Sequence, residues 1–318
     1  MKKIFILAGF LTAVLLLPAA AGGARDTLMF GTGGDQGTYY GFGNVLAQRI
    51  SAETDTQVVA VVSAGSQDNI EMMEMGSYQL GFVQTDVMSY AFDGTNLFAQ
   101  NGAVTDFSTA AALYMEQVQI VTLNPEIRTV ADLRGKTVSI GSSGSGVYYN
   151  ALDILGAYGM TEADIRPTYQ SFGDSVDSLQ DGKIDAAFIV AGAPTVAVST
   201  LATTQQIQLV SLDDAHIARL LERSPYYSPY TIPASVYGTA EDCQTVAVGA
   251  VIVVRNDVPE QAVYNIVSTI FNDREEIAKS HDKGRELDLA FASSVTTVPY
   301  HPGAARYFAE QGITVPAN

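Results

Sequence analysis

Leu28-Met-Phe30-Gly31-Thr-Gly33-Gly34-Asp35-Gln36-Gly37-Thr38-Tyr39-Tyr40 is the stretch whose reading decides the fold. An apolar, strand-like run from Leu28 to Phe30 enters a loop of glycines and hydroxyls. A helical pattern follows, with Phe42, Val45, Leu46 and Ile50 at helical spacing. A strand that feeds a helix through such a loop leaves backbone N–H groups free for a ligand, and glycine lets the backbone approach closely. The plan recurs: Val138 to Ile140 leads into Gly141-Ser142-Ser143-Gly144-Ser145-Gly146, then into a helix carrying Leu152 and Leu155. One chain thus holds two candidate half-sites.

Working outward, each half repeats a second time. Val58 to Val62 reads as a strand ending in Ser63-Ala-Gly-Ser66, where Ser66 caps a helix through Ile70 and Met73 that Gly76 stops. Leu80 to Val83 is a short strand running into Gln84-Thr85-Asp86. In the other half, Thr161 to Asp164 has the form of a capping box with Asp in the usual Glu place. A helix through Val176 and Leu179 ends at Gly182, and Ile184 to Val190 runs into Ala191-Gly192-Ala-Pro194. Gly31 to Gly76 and Gly141 to Gly182 are similarly spaced.

This alternation predicts an α/β protein of two lobes, each a mostly parallel sheet flanked by helices. Val118 to Leu123 and Thr245 to Val254 are the outgoing and returning strands of a hinge. Lobe 1 is expected at 25–123 plus 245–318, and lobe 2 at 124–244. Ser224 to Pro233, rich in proline and tyrosine, is expected as an extended segment over the lobe interface.

Residues 1–24 read as a signal peptide: Lys2 and Lys3, an apolar run from Ile4 to Leu17, Pro18, then small residues, with cleavage after Ala21 or Ala24. The mature protein is then expected in the periplasm. The formal net charge is −17, and loss of Lys2 and Lys3 takes it two charges lower. Such a surface repels nucleic acid and anionic lipid. Cys243 is the single cysteine, which excludes an internal disulfide, so the fold rests on its apolar core.

In open parallel sheets, ligands sit beyond the carboxyl ends of the strands. Five polar junctions occupy that position: Gly31 to Tyr40, Ser63 to Asn69, Gln84 to Asp86, Gly141 to Gly146, and Ala191 to Pro194. Thr38, Ser66, Thr85, Ser143 and Ser145 are placed both to cap helices and to donate to a ligand oxygen. One of Tyr39, Tyr148 and Tyr149 is expected in the cleft wall. No loop carries Arg or Lys, so a carboxylate would rest on helix N-termini and hydroxyls, or on a distant Arg128 or Arg306.

Enzyme motifs are missed narrowly. Gln36 stands where a dinucleotide fingerprint has its last glycine, no Lys follows the loops as in a P-loop, and Ser145 replaces the closing glycine of a nucleophile elbow. His216, His281 and His301 have no metal-ligand spacing. Met72, Met73 and Met75 read as core. No cofactor or metal is expected.

Phe30 to Tyr40, Ser66-Gln-Asp-Asn69, Val83-Gln-Thr-Asp86, Asp132 to Gly146, Asp181-Gly-Lys-Ile-Asp-Ala-Ala-Phe188 and His301-Pro-Gly-Ala304 together resemble the TAXI family of solute receptors for TRAP transporters. The resemblance covers essentially the whole mature chain. It implies a two-lobed periplasmic-binding-protein fold (type II) that closes on a small organic acid or amino acid, glutamate or 2-oxoglutarate-like. It also implies a monomer that delivers its ligand, without catalysis, to a TRAP permease driven by an ion gradient. By the match, Gly33, Gly34, Thr38, Tyr39, Ser66, Gln84, Thr85, Asp86, Ser143, Gly144, Ser145, Gly146 and Gly192 inherit the binding role, with Tyr148 beside them. The family often carries Thr-Gly where this chain has Asp35-Gln36, so Asp35 is expected to hold a ligand ammonium. A sensory protein that presents ligand to a membrane receptor, and an exported two-lobed enzyme, are the alternative readings.

Overall fold

The computed structural model describes residues 27–318; the signal peptide expected at 1–24 lies outside the described residues. The chain opens with β1 (Thr27–Gly31), α1 (Thr38–Glu53), β2 (Gln57–Val61), α2 (Ser66–Glu74), β3 (Leu80–Gln84) and α3 (Thr85–Asp93), then crosses on the long β4 (Phe107–Thr122). The other half holds β5 (Thr137–Ser139), α4 (Val147–Ala157), β6 (Arg166–Thr168), α5 (Phe172–Gln180), β7 (Ala186–Ala191), α6 (Val196–Thr204), β8 (Gln208–Leu209), α7 (Asp214–Arg223) and β9 (Ser228–Ile232). The return strand β10 (Cys243–Arg255) leads to α8 (Glu260–Asn272), α9 (Arg274–Ser280), α10 (Leu289–Ala292) and α11 (Pro302–Glu310).

The strands lie in the order β2-β1-β3-β10-β4-β7-β5-β6. Parallel triplets β2-β1-β3 and β7-β5-β6 flank two antiparallel crossing strands. Gln117 pairs with Ala247 on one side and Ala191 on the other, so it is the residue at which β4 leaves one half of the sheet for the other. The apolar cores divide at the same place. Leu113 and Tyr114 belong to a core with Phe42, Phe82 and Val251, whereas Val118 and Ile120 belong to one with Val138, Ile154 and Val248. Between them stand Glu116 and Gln117, both buried.

The helices form where the apolar spacing puts them. Phe42, Leu46 and Ile50 line the buried face of α1, and Ile70 and Met73 that of α2. The methionine cluster is only partly core: Met73 is buried, but Met75 is 72% exposed. The Thr161–Asp164 capping box is present, closing a single 3-10 turn. Two expectations need correction. The outgoing strand begins at Phe107, eleven residues ahead of Val118, because Phe107 to Tyr114 is a continuous buried run inside the first core. Ser228 to Ile232 is a strand paired with Cys243 to Ala247 of β10; as an edge strand it tolerates Pro229, which has no N–H to give. No helix among the described residues is long and apolar enough to cross a membrane.

Candidate ligand-binding site

The carboxyl ends of β1, β2, β3, β5 and β7 open onto one cavity between the lobes. Its volume is about 80 Å³, small beside the roughly 300–1,000 Å³ usual for small-molecule sites. Three glycine-capped helices begin at its wall. Gly37, Gly65 and Gly146 are the N-caps of α1, α2 and α4, and no side chain caps any of the three. Two of their first-turn N–H groups are already taken, Tyr149 by Gly146 C=O at 3.1 Å and Asp68 by Gly144 C=O at 3.0 Å, and the helix dipoles present partial positive charge to the cavity. Phe172, at the start of α5, closes the same wall.

Local hydrogen bonds hold these loops in place. Gly37 N–H donates to Gly34 C=O at 2.9 Å, Ser63 N–H to Gly33 C=O at 3.2 Å, and the Asn69 amide donates to the carbonyls of Thr32 at 2.8 Å and Phe82 at 2.7 Å. The Ser66 hydroxyl accepts from Gln84 N–H at 3.1 Å. Tyr39 lies flat on Phe82, ring centroids 4.6 Å apart, which fixes where its hydroxyl points.

The lobes are shut on one another. Asp68 N–H donates to Gly144 C=O at 3.0 Å and Ala197 N–H to Gln36 C=O at 3.2 Å. The Thr38 hydroxyl donates to Gly192 C=O at 2.8 Å. Asn150 is the hub of a buried bridge: it accepts from the Gln84 amide at 3.0 Å and donates to Asp86 Oδ2 at 2.9 Å and to the Tyr227 hydroxyl at 2.8 Å. Gly146 is packed so closely that a Cβ there would overlap Gln84 Oε1 and come within 3.1 Å of Ser66 Oγ. Gln84 Oε1 and Ser145 Oγ are buried without a hydrogen-bond partner, and both residues line the cavity.

Of the residues named for binding in the sequence, Gly33, Gly34, Thr38, Tyr39, Ser66, Gln84, Ser145 and Gly146 line the cavity, and Gly37, Ser63, Ala64, Gly65, Ser142 and Ala191 of the five junctions line it with them. The other residues named for binding do not. Ser143 is exposed, Gly144 makes its contact with Asp68 in the other lobe, and the Tyr148 hydroxyl donates to Glu162. The Thr85 hydroxyl accepts from Gly249 N–H, Asp86 belongs to the Asn150 bridge, and Gly192 takes the bond from Thr38. Asp35 is exposed at the tip of the Gly34–Gly37 turn and does not line the cavity. Arg128 is exposed, and Arg306 pairs with Glu260 at 2.8 Å; neither lines the site.

Sequence reading missed Glu116. It lines the cavity, is 2% exposed, and accepts a 2.6 Å hydrogen bond from the Tyr39 hydroxyl at Oε2. Burial pushes its carboxyl up to about 8, with the hydrogen bond from Tyr39 pulling the other way. Burial also pushes Asp86 up to about 7. Ser171, Phe172 and Val190 were missed as well. The available signal for Glu116 was a lone acid inside an otherwise uncharged 16-residue strand. Among the described residues, no group of three or more His, Cys, Asp or Glu is placed to hold a metal.

The sequence profile of the NMT1-like family matches residues 30–312. Among solved structures, the chain is similar to the GluR0 ligand-binding core from Nostoc punctiforme in complex with L-glutamate, at 16% identity and TM-score 0.50 over 81% of this chain and 99% of that one. It is similar to a Salmonella typhimurium periplasmic binding protein of high arginine specificity, at 16% identity and TM-score 0.50 over 82% and 99%. It is also similar to a periplasmic transporter at 14% identity and TM-score 0.54, over 90% and 92%. At such identities the likeness speaks to the fold, which is the mixed α/β, two-lobed periplasmic-binding-protein fold.

Proposed function

The chain belongs to the NMT1-like family, and from that premise we propose that it is a periplasmic solute receptor that closes on a small organic acid or amino acid and delivers it to a membrane transporter. The observation that carries this reading is the convergence of three uncapped helix N-termini from both lobes on one cavity. That arrangement suits a small anionic group. It contains no assembly of nucleophile and base, which supports binding rather than turnover.

Binding residues under this reading are Gly33, Gly34, Thr38, Tyr39, Ser66, Gln84, Ser145 and Gly146. The hinge falls where β4 and β10 pass from one core to the other, a few residues inside the boundaries at 123 and 245. Within the family we assign the chain to the TAXI receptors and its partner to a TRAP permease, on the motifs that run from Phe30 to Ala304. L-glutamate, arginine and 2-oxoglutarate are the first ligands to try, two of them because similar folds carry or select them.

A thermal-shift panel of the twenty amino acids and C4 to C6 carboxylates tests the proposal. A true ligand raises the melting temperature in step with ln(1 + [L]/Kd). Absence of any shift, together with absence of any solute released on denaturation, would overturn it. Uptake into vesicles holding the receptor and a TRAP permease, driven by an ion gradient and indifferent to ATP, tests the partner.

A further inference from the structure

The cavity is electrically lopsided, and the imbalance bears on what fills it. The N-terminal turns of α1, α2 and α4 bring partial positive charge to it. Beside the first turn of α1 stands Glu116, the one carboxyl among the cavity-lining residues, which include no Lys, Arg or His.

Glu116 receives its single hydrogen bond from Tyr39. Among the charged and titratable groups around it, Lys283 is the one opposite charge. Tyr39 faces it from α1, Tyr114 from β4, Asp86 from α3 and Lys283 from the turn at 282–286. The first three are neutral or acidic. Lys283 is buried, is bonded to Glu286 at 2.5 Å and has its ammonium 5.3 Å from the centre of the Tyr114 ring. A carboxyl taken out of water, whose one cationic neighbour is already bonded to Glu286, either stays protonated or waits for a cation.

We infer that the ligand brings a basic nitrogen that pairs with Glu116 while its carboxylate rests on the three helix N-termini, so that the site takes an α-amino acid in preference to the oxo acid of the same skeleton. The inference rests on the receptor reading above and narrows it. The ammonium of such a ligand meets the Glu116 carboxyl beside its bond to Tyr39; its carboxylate points toward Gly33, Ser66 and Gly146. Gln84 Oε1, buried and unpartnered at the same wall, is an acceptor for a second N–H of the ammonium.

The test is calorimetric titration at pH 7 with two matched pairs, L-glutamate against 2-oxoglutarate and L-leucine against 4-methyl-2-oxopentanoate, on the full mature chain and on Glu116→Gln. The amino member is expected to bind at least about 10-fold tighter than its oxo partner, and the substitution is expected to weaken the amino acid about 10-fold while changing the oxo acid by less than about 3-fold. Equal or tighter binding of the oxo acid overturns the inference, as does equal loss of both in the variant. If none of the four binds, solute captured from cell extract and released by denaturation decides. A solute with a basic nitrogen supports the inference. A carboxylate without nitrogen overturns it and leaves the receptor reading standing. No solute at all removes both.

Discussion

The Tyr39 hydroxyl donates a 2.6 Å hydrogen bond to Glu116, joining the first turn of α1 to the point where β4 leaves one lobe's core for the other. The phenol is held flat against Phe82, so the bond fixes the carboxyl rather than following it. Burial raises both groups: Glu116 to about 8, and Tyr39 far above its ordinary range, with the neighbouring Glu116 adding to the effect.

Glu116 makes the stability of the ligand-free protein depend on pH with a definite sign. Its folded value of about 8 lies above the ordinary 4.5, so the folded state holds a proton that the unfolded chain has lost between those limits. The contribution is fully present below 4.5 and is lost as pH rises toward 8. Asp86, at about 7, acts in the same direction. In urea unfolding, Glu116→Gln and wild type should be alike at pH 5, and the variant should gain on wild type as pH rises to 8. A difference that does not change with pH contradicts the assignment.

Gly146→Ala should block closure without harming the fold. The backbone of Gly146 is right-handed helical, at φ −70° and ψ −23°, so alanine costs nothing locally. Its methyl group would overlap Gln84 Oε1 across the cleft. Affinity is expected to fall by about 100-fold or more, since the closed state is the binding-competent one, while the ligand-free melting temperature stays within a few degrees. Small-angle scattering should show a radius that no longer contracts with ligand.

Asn150→Ala should be costly in a different way. The amide serves Gln84 and Asp86 of one lobe and Tyr227 of the other, all buried. Its loss strands several polar groups away from water, which predicts destabilisation of about 2–3 kcal/mol in denaturant unfolding. Substitution of Asn44, which makes one bond to the Tyr40 carbonyl within α1, should cost less than about 0.5 kcal/mol.

Tyr39→Phe separates the ring from the hydroxyl. The stack on Phe82 survives, so stability should fall by only about 1 kcal/mol, but ligand affinity should fall several-fold because Glu116 loses its positioning bond. Phe82→Ala removes the shelf itself and should cost about 3–5 kcal/mol. Comparable losses of stability in the two variants would mean that the hydroxyl holds up the fold and not the site.

Much of this was legible in the chain. Phe42, Leu46 and Ile50 announced α1 by spacing, and Gly31 to Gly37 and Gly141 to Gly146 announced strand-to-helix junctions by composition, because helix period and turn chemistry are local properties. Eight of the candidate residues line the cavity for the same reason: junction residues face the carboxyl ends of strands in any such sheet. The misses share another cause. Asp35 looked like the site's acid because it sits in the loop, yet it is exposed at the turn that Gly37 and Gly34 close and does not line the cavity.

The sequence by itself determined two α/β lobes, their glycine junctions and the helix starts that wall the cavity, since each depends on residues a few positions apart. Only the tertiary structure decided which acid lines that cavity. Glu116 lies 77 positions from Tyr39, inside a buried strand that carries no other charge. Its place at the cleft floor follows from where β4 crosses between two cores. A crossing point is set by the register of β4 against β10 and β7, and register between distant strands is fixed by packing, which no local pattern encodes.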